Sequence, residues 1–217
     1  MRRQCRMGYL EVTNLSKNIG QNEILKSINL NLEKGTIYGF FGRNGSGKTM
    51  LFRALCGLIK PTSGTITINN KVLHRDISFP ESIGVIIESP GFWDHYTGFE
   101  NLKVLSSIKN IIGDEDIRKS IKRVGLDPDD RRIYKKYSLG MKQRLAIAQA
   151  IMERPDIIIL DEPTNSLDEN GVQLVREILI GEKKRGALIL IASHNKDDID
   201  ILSDVKYKVD DGSVIQS

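Results

Sequence analysis

Cysteine is scarce in this chain: Cys5 and Cys56 are the only two among 217 residues. They stand too far apart to form a metal-binding or redox motif, and the scarcity fits a reducing compartment. Cys56 falls between Leu55 and Leu58 and reads as a small core residue. Net charge is also small. Thirty-two Lys and Arg against 28 Asp and Glu leave +4, too little to argue for a nucleic-acid partner. Long apolar runs are missing: the longest, Ala187 to Ala192, falls far short of the about 18 residues that a membrane-crossing helix needs. Arg2, Arg3 and Arg6 are followed by no apolar segment, so the start does not read as a signal peptide, and Met7 is a second candidate start. No repeat or low-complexity linker divides the chain. Its length accommodates one core, or one core with a modest insertion.

What is present is patterned. Ile28, Leu30 and Leu32 alternate with Asn29 and Asn31, and Thr65-Ile66-Thr67-Ile68 runs into the turn pair Asn69-Asn70, so the first part reads as short strands. The middle reads as helices. Thr97 and Glu100 form a capping box ahead of Leu102, Leu105 and Ile112. Asp114 is the expected cap of a second helix bearing Ile117, Ile121 and Val124, closed by Gly125. A third starts near Ser138 and ends before Pro155. In the last third, Ile157 to Leu160 and Leu188 to Ile191 are unbroken apolar runs, the mark of parallel strands covered on both faces. Val172, Val175 and Leu179 give the helical face between them. Strand, helix, strand in this order implies an α/β core with a right-handed crossover.

Gly42-Arg43-Asn44-Gly45-Ser46-Gly47-Lys48-Thr49 matches the phosphate-binding loop pattern G-x-x-x-x-G-K-[ST] in full. An apolar run, Ile37 to Phe41, precedes it, and a helical pattern with Leu51, Ala54, Leu55 and Leu58 follows. Glycines let the backbone curl so that successive N–H groups converge on phosphate oxygens at a helix N-terminus. Lys48 supplies a mobile positive charge, and Thr49 a hydroxyl for Mg²⁺. Asp161-Glu162 ends the run Ile157 to Leu160 and so stands at a strand's carboxyl end, where open α/β sheets bind ligands. Asp161 is the expected Mg²⁺ partner and Glu162 the residue that activates water. Acidic residues also end strands as plain turn residues; the complete loop upstream separates the two readings.

Three further segments carry a family resemblance. Tyr137-Ser138-Leu139-Gly140-Met141-Lys142-Gln143-Arg144 resembles the signature of ABC transporter ATP-binding proteins. Asp161-Glu162-Pro163-Thr164-Asn165-Ser166-Leu167-Asp168 resembles their acidic pair running into the D-loop, and His194 after Ser193 matches their switch histidine. The resemblance covers essentially the whole chain. It implies one ABC domain over residues 1–217: a P-loop NTPase core with a parallel central sheet, an N-terminal antiparallel β part, and a helical unit inserted at 92–153. It implies ATP and Mg²⁺ as cofactors, hydrolysis through Lys48, Glu162 and His194, and a head-to-tail homodimer. In that dimer Ser138, Gly140 and Asp168 serve the partner's nucleotide. It also implies a membrane permease on a separate chain, no nucleic-acid partner, and a place on the cytoplasmic face of the membrane.

Three departures from the family pattern stand out. Leu139 and Met141 replace a glycine and a glutamine of the signature. Glu88 stands where a metal-approaching glutamine is usual. Ile19 occupies the place of the adenine-stacking aromatic, a loss of about 0.5–1.5 kcal/mol of ring contact. Glu88 and the Ser-Leu-Gly-Met-Lys signature together resemble the ATP-binding subunits of bacitracin- and lantibiotic-resistance exporters, which implies export of membrane-active peptides. Phe92, Trp93, Tyr96 and Phe99 crowd four of the 13 aromatics into eight residues. They read either as a packed joint or as a groove for the membrane subunit. The basic cluster Arg131, Arg132, Lys135, Lys136, Lys142 and Arg144 reads as a solvated face or a binding patch. Two rival functions remain at this level: a soluble ABC ATPase of ribosomes or DNA, and a nucleotide switch without turnover. One P-loop and a short insertion weigh against the first, and intact Glu162 and His194 against the second.

Overall fold

The computed structural model describes residues 8–88 and 91–217; Cys5, Met7 and the arginines of the start, with Ser89 and Pro90, lie outside them. Two sheets share the work. The first is antiparallel, in the order β2-β1-β4-β5, from β1 (Leu10–Ile19), β2 (Asn22–Leu32), β4 (Ser63–Ile68) and β5 (Lys71–Val72). The alternation in β2 buries Ile28, Leu30 and Leu32, as a one-faced strand requires. Asn69 and Asn70 turn the chain into β5 with φ of 48° and 64°, a left-handed conformation that Asn tolerates.

The second sheet has the order β10-β9-β3-β8-β7-β6. Its strands are β3 (Ile37–Phe41), β6 (Ile83–Ile86), β7 (Ile157–Asp161), β8 (Leu188–Ser193), β9 (Val205–Asp210) and β10 (Ser213–Gln216). Strand β3 runs parallel to β8 and β9, β7 runs parallel to β6 and β8, and only the edge strand β10 is antiparallel. Every residue of β7 and β8 is buried. Because side chains alternate, Ile157, Ile159, Leu188 and Leu190 enter one core, shared with the antiparallel sheet and helix α1 (Lys48–Leu55). Ile158, Leu160, Ile189 and Ile191 enter the other, under the helices. Cys56 lies in the first core, and burial pushes its thiol up to about 12.

Between β6 and β7 the chain forms α2 (Gly98–Ser106), α3 (Asp114–Arg123) and α4 (Leu139–Ile151). The Thr97–Glu100 capping box is present in both directions. Helix α2 stops at Ser106 rather than running on to Ile112. The Ser106 and Ser107 hydroxyls donate to the carbonyls of Lys103 and Val104, a competing local bond that loosens a helix end. Helix α3 is capped at Gly113, whose N–H donates to Asp116 at 3.3 Å. Asp114, the expected cap, is the first helical residue and pairs with Lys103 at 2.9 Å. Ser138 caps α4 by accepting from the N–H of Met141 at 3.2 Å. Helix α5 (Glu169–Lys184) crosses from β7 to β8, and α6 (Lys196–Leu202) follows β8. Among the described residues no helix is long and apolar enough to cross a membrane.

Candidate functional site

Strand β3 delivers the chain to residues 42–47, and α1 begins at Lys48. Two glycines make this loop possible. A Cβ on Gly42 would lie 2.1 Å from the carbonyl oxygen of Val209, so any side chain there would force β9 away. Gly47 caps α1 at φ 109°, a conformation closed to L side chains. The first-turn N–H groups of α1 have no partners within the helix and point with its positive end into the loop. Lys48 is buried, and its Nζ donates to the Gly42 and Arg43 carbonyls at 2.7 and 3.2 Å. That fixes its ammonium across the loop. Among the described residues the buried Ser46 Oγ has no hydrogen-bond partner, a cost the fold bears unless an incoming group supplies one.

The carboxyl end of β7 meets the same loop. Thr49 Oγ1 donates to Asp161 Oδ2 at 2.6 Å. Asp161 is buried, and burial is the main reason its carboxyl is held above the ordinary range; the neighbouring Glu162 pushes the same way, while the Thr49 hydrogen bond opposes. Among the described residues no cluster of three or more His, Cys, Asp or Glu could hold a metal by itself. A hydroxyl and one carboxylate are nonetheless the donor set that suits Mg²⁺, which keeps waters and takes its remaining oxygens from phosphates. The site fits the ion and the nucleotide together.

Glu162 is turned toward β8. It adopts φ 51°, and its N–H bonds to the carbonyl of Ala192 at 2.8 Å. Its Oε1 accepts the backbone N–H of His194 at 2.8 Å. Its Oε2 accepts from Ser193 Oγ at 3.3 Å and lies 2.9 Å from His194 Nδ1. A carboxylate has about four acceptor positions, so these three contacts, two of them from His194, fix its direction and leave room for a water. Gln143 of α4 donates to the carbonyls of Glu162 and Pro163 at 3.3 and 3.0 Å, bracing the turn from the helical side.

A cleft of about 840 Å³ opens above these groups. It is lined by Asn44 to Met50, Asp161, Glu162, Glu88 and Ile24, and on the far side by Tyr134, Leu139, Lys142 and Gln143. Glu88 reaches the cleft from a left-handed backbone position, φ 61°, and pairs with Arg53 of α1 at 2.7 Å. Ile19 is more than half exposed at the end of β1 and does not line the cleft, whereas Ile24 does. Ser138, Gly140 and Asp168 face a separate open groove of about 530 Å³, with Leu139, Met141, Arg144, Ser166 and Leu167. Asp168 caps α5 through Gly171 N–H at 2.9 Å and pairs with Arg144 at 3.3 Å.

Several lining residues carry no role in the sequence reading. Gln143, Lys142 and Met141 lie inside a quoted motif, but their contacts depend on where α4 sits against the turn after β7. Ile24 and Tyr134 belong to no motif, and only the fold reveals them. The basic cluster is divided: Arg132 pairs with Asp130 at 2.7 Å, while Lys142 lies 4.8 Å over the Tyr134 ring in the cleft wall. Phe92 and Phe99 pack on the core; Trp93 and Tyr96 stack at 6.0 Å with both residues a little under half exposed.

The ABC transporter family model matches residues 25–165, from within β2 through the turn after Glu162. This chain belongs to the ABC transporter family. It is 57% identical over 203 residues to YybJ, an uncharacterised ABC transporter ATP-binding protein of Bacillus subtilis, covering 94% of this chain and 93% of that one. It is 38% identical over 209 residues to the bacitracin transport ATP-binding protein BcrA of Enterococcus faecalis, covering 95% and 68%. It is thus related to the bacitracin and lantibiotic exporter group. The fold matches the ATP-binding cassette MJ0796, solved as a dimer bound to ADP and Pi, with a TM-score of 0.83 at 22% identity over 96% and 97% of the two chains. Its fold is that of a P-loop ABC ATPase with an antiparallel N-terminal part, and such domains bind and hydrolyse ATP with Mg²⁺.

Proposed function

We propose that this chain is the ATP-hydrolysing subunit of an exporter for membrane-active peptides, working on the cytoplasmic face of the membrane through a separate permease. The observation that carries the hydrolytic reading is the junction of two contacts: Thr49 to Asp161 at 2.6 Å, and Glu162 to His194 at 2.9 Å. The first joins the loop to the strand end, and the second directs the neighbouring carboxylate.

Bound Mg-ATP supplies the phosphoryl group and the ion that spreads its charge. The chain's own residues do the rest. Residues 42–49 bind the phosphates through backbone N–H groups, with Lys48 Nζ as the cation and Ser46 Oγ as a further donor. Thr49 Oγ1 and Asp161 would hold the metal. Glu162 takes a proton from the attacking water on the acceptor position its neighbours leave open, and His194 and Ser193 hold that carboxylate in place. Glu88, tied to Arg53, approaches the metal side of the cleft from the chain leading to Trp93 and Tyr96. Residues 92–153 act as the unit that carries the signature and those two aromatics toward the permease.

Ser138, Gly140 and Asp168 find no use inside their own chain's loop. Their open groove begins at a helix N-terminus, which favours an anion, and a second copy placed head to tail would bring its nucleotide there. The dimeric form of the fold relative supports this arrangement, and the bacitracin transport role of BcrA supports the peptide-export reading. The test is Glu162→Gln, which keeps the shape and removes the charge. ATP binding survives and hydrolysis is lost; turnover at the wild-type rate would overturn the assignment.

A further inference from the structure

Behind the cleft, one carboxylate joins three segments that the proposed chemistry uses separately. Thr164, two residues beyond Glu162, is buried, and its Oγ1 donates to Asp198 Oδ2 at 2.7 Å. The other oxygen, Oδ1, takes a charged hydrogen bond from Arg176 Nη2 at 3.3 Å. Thr164 belongs to the turn after β7, Arg176 to α5 behind Asp168, and Asp198 to α6, four residues past His194. None of the three lines the cleft. Both charged partners are mostly buried, with side chains 21% and 16% exposed. Burying a charged pair costs desolvation that its bonds must offset, and removing one partner leaves the other charge uncompensated.

The geometry matters because Glu162 and His194 come from different strand ends. Their contact depends on how the turn after β7 sits against the start of α6. Five register pairs align β7 with β8, but beyond Ser193 the chain leaves the sheet, and Thr164–Asp198 adds a bond away from the cleft to the Glu162–Ser193 and Glu162–His194 contacts between the two departing segments. We propose that Asp198, with Thr164 as its donor, is a positioning residue for hydrolysis. It holds the His194 segment against the Glu162 turn, and Arg176 anchors the same point to the helix of the D-loop. This inference rests on the reading that Glu162 activates water.

Because the network lies outside the cleft, its loss misplaces the water-activating pair without touching the phosphate loop. A misplacement on the order of 1 Å costs roughly a hundredfold in rate. Steady-state hydrolysis and melting curves of Thr164→Val, Asp198→Ala and Asp198→Asn test this, with Asp200→Asn on the same helix as control. Asp200 points to Lys206 instead. The expected result is a kcat lowered about ten- to hundredfold in Asp198→Ala and somewhat less in Thr164→Val, with KM for ATP within about threefold. Asp198→Asn, whose amide oxygen still accepts from Thr164, recovers part of the rate, and Asp200→Asn matches wild type. Thr164→Val retains the Asp198–Arg176 pair and so remains informative should Asp198→Ala fold poorly. An unchanged kcat in Thr164→Val, or a KM that rises in step with the loss of kcat, overturns the proposal. Glu162→Gln is run in parallel. If it is inactive while the Asp198 and Thr164 variants keep full kcat, only the positioning role fails; if it is active, the reading of the site itself fails.

Discussion

The two walls of the cleft differ in how much of their chemistry is satisfied within the chain. On the core wall, Lys48 and Asp161 are buried and each has its partners: loop carbonyls for the ammonium, the Thr49 hydroxyl for the carboxylate. On the helical wall, α4 presents Leu139 with 71% of its surface in water, beside the capping Ser138. Strands β3 and β7 fix the core wall in a sheet where every residue of β7 and β8 is buried, whereas α4 reaches the cleft only by its N-terminal end, Leu139 to Gln143. A wall whose charged groups are paired from within, with the Ser46 hydroxyl left for an incoming group, can bind a ligand alone. A wall whose polar helix end faces outward gains its partners only when something is brought to it.

The largest effect should come from breaking the finished wall. Lys48→Ala removes the cation fixed across the loop, and losing one preorganised charge of this kind costs roughly a hundredfold or more in rate. Hydrolysis should fall to background in a phosphate-release assay, and near-normal turnover would refute the loop assignment. Next comes the open wall. Ser138→Arg fills the start of α4 with bulk, so turnover should drop about tenfold or more, the worth of a charge-assisted hydrogen bond, while ATP binding to the single chain measured by calorimetry stays within about twofold. An equal loss of binding would place Ser138 in its own chain's site instead. Glu88→Gln keeps the side chain's shape at the cleft rim and loses a largely exposed ion pair worth at most about 1 kcal/mol, so ATPase activity should change by no more than roughly fivefold while export in cells changes. Complete loss of hydrolysis would make Glu88 a direct participant. The smallest effect concerns stability. The buried Asp161 is held above the ordinary carboxyl range, so its ionised form opposes folding, and the native state gains stability as pH falls and the group takes up its proton. Asp161→Asn should therefore melt higher than wild type at pH 8 in metal-free buffer, with the gap closing as pH falls. A lower melting point throughout would show that the charge is stabilising where it sits.

The core wall was legible from residues alone because its chemistry is local. Gly42 to Thr49 is contiguous, and the Ile157–Leu160 run declares both its strand and where the strand ends. The sheet order, by contrast, places β3 between β8 and β9, a long-range choice that no local pattern carries. Residues that reach the site across such joints escaped notice: Ile24 from β2, Tyr134 from the short turn before α4, and Arg53, whose pairing with Glu88 shows up only once α1 and the end of β6 are side by side. The early stop of α2 was likewise hidden, since Ser106 and Ser107 read as ordinary helix residues until their hydroxyls are seen bonding backward.

The central claim is that the nucleotide joins the core wall of one chain's cleft to the Ser138–Asp168 groove of another, and Glu162→Gln tests it most directly. With hydrolysis blocked, bound ATP should hold the closed state by its differential affinity for it. Size-exclusion chromatography with light scattering should then show a dimer in Mg-ATP and a monomer in Mg-ADP, with Ser138→Arg abolishing the dimer. A Glu162→Gln protein that binds ATP yet remains monomeric at high concentration would contradict the account.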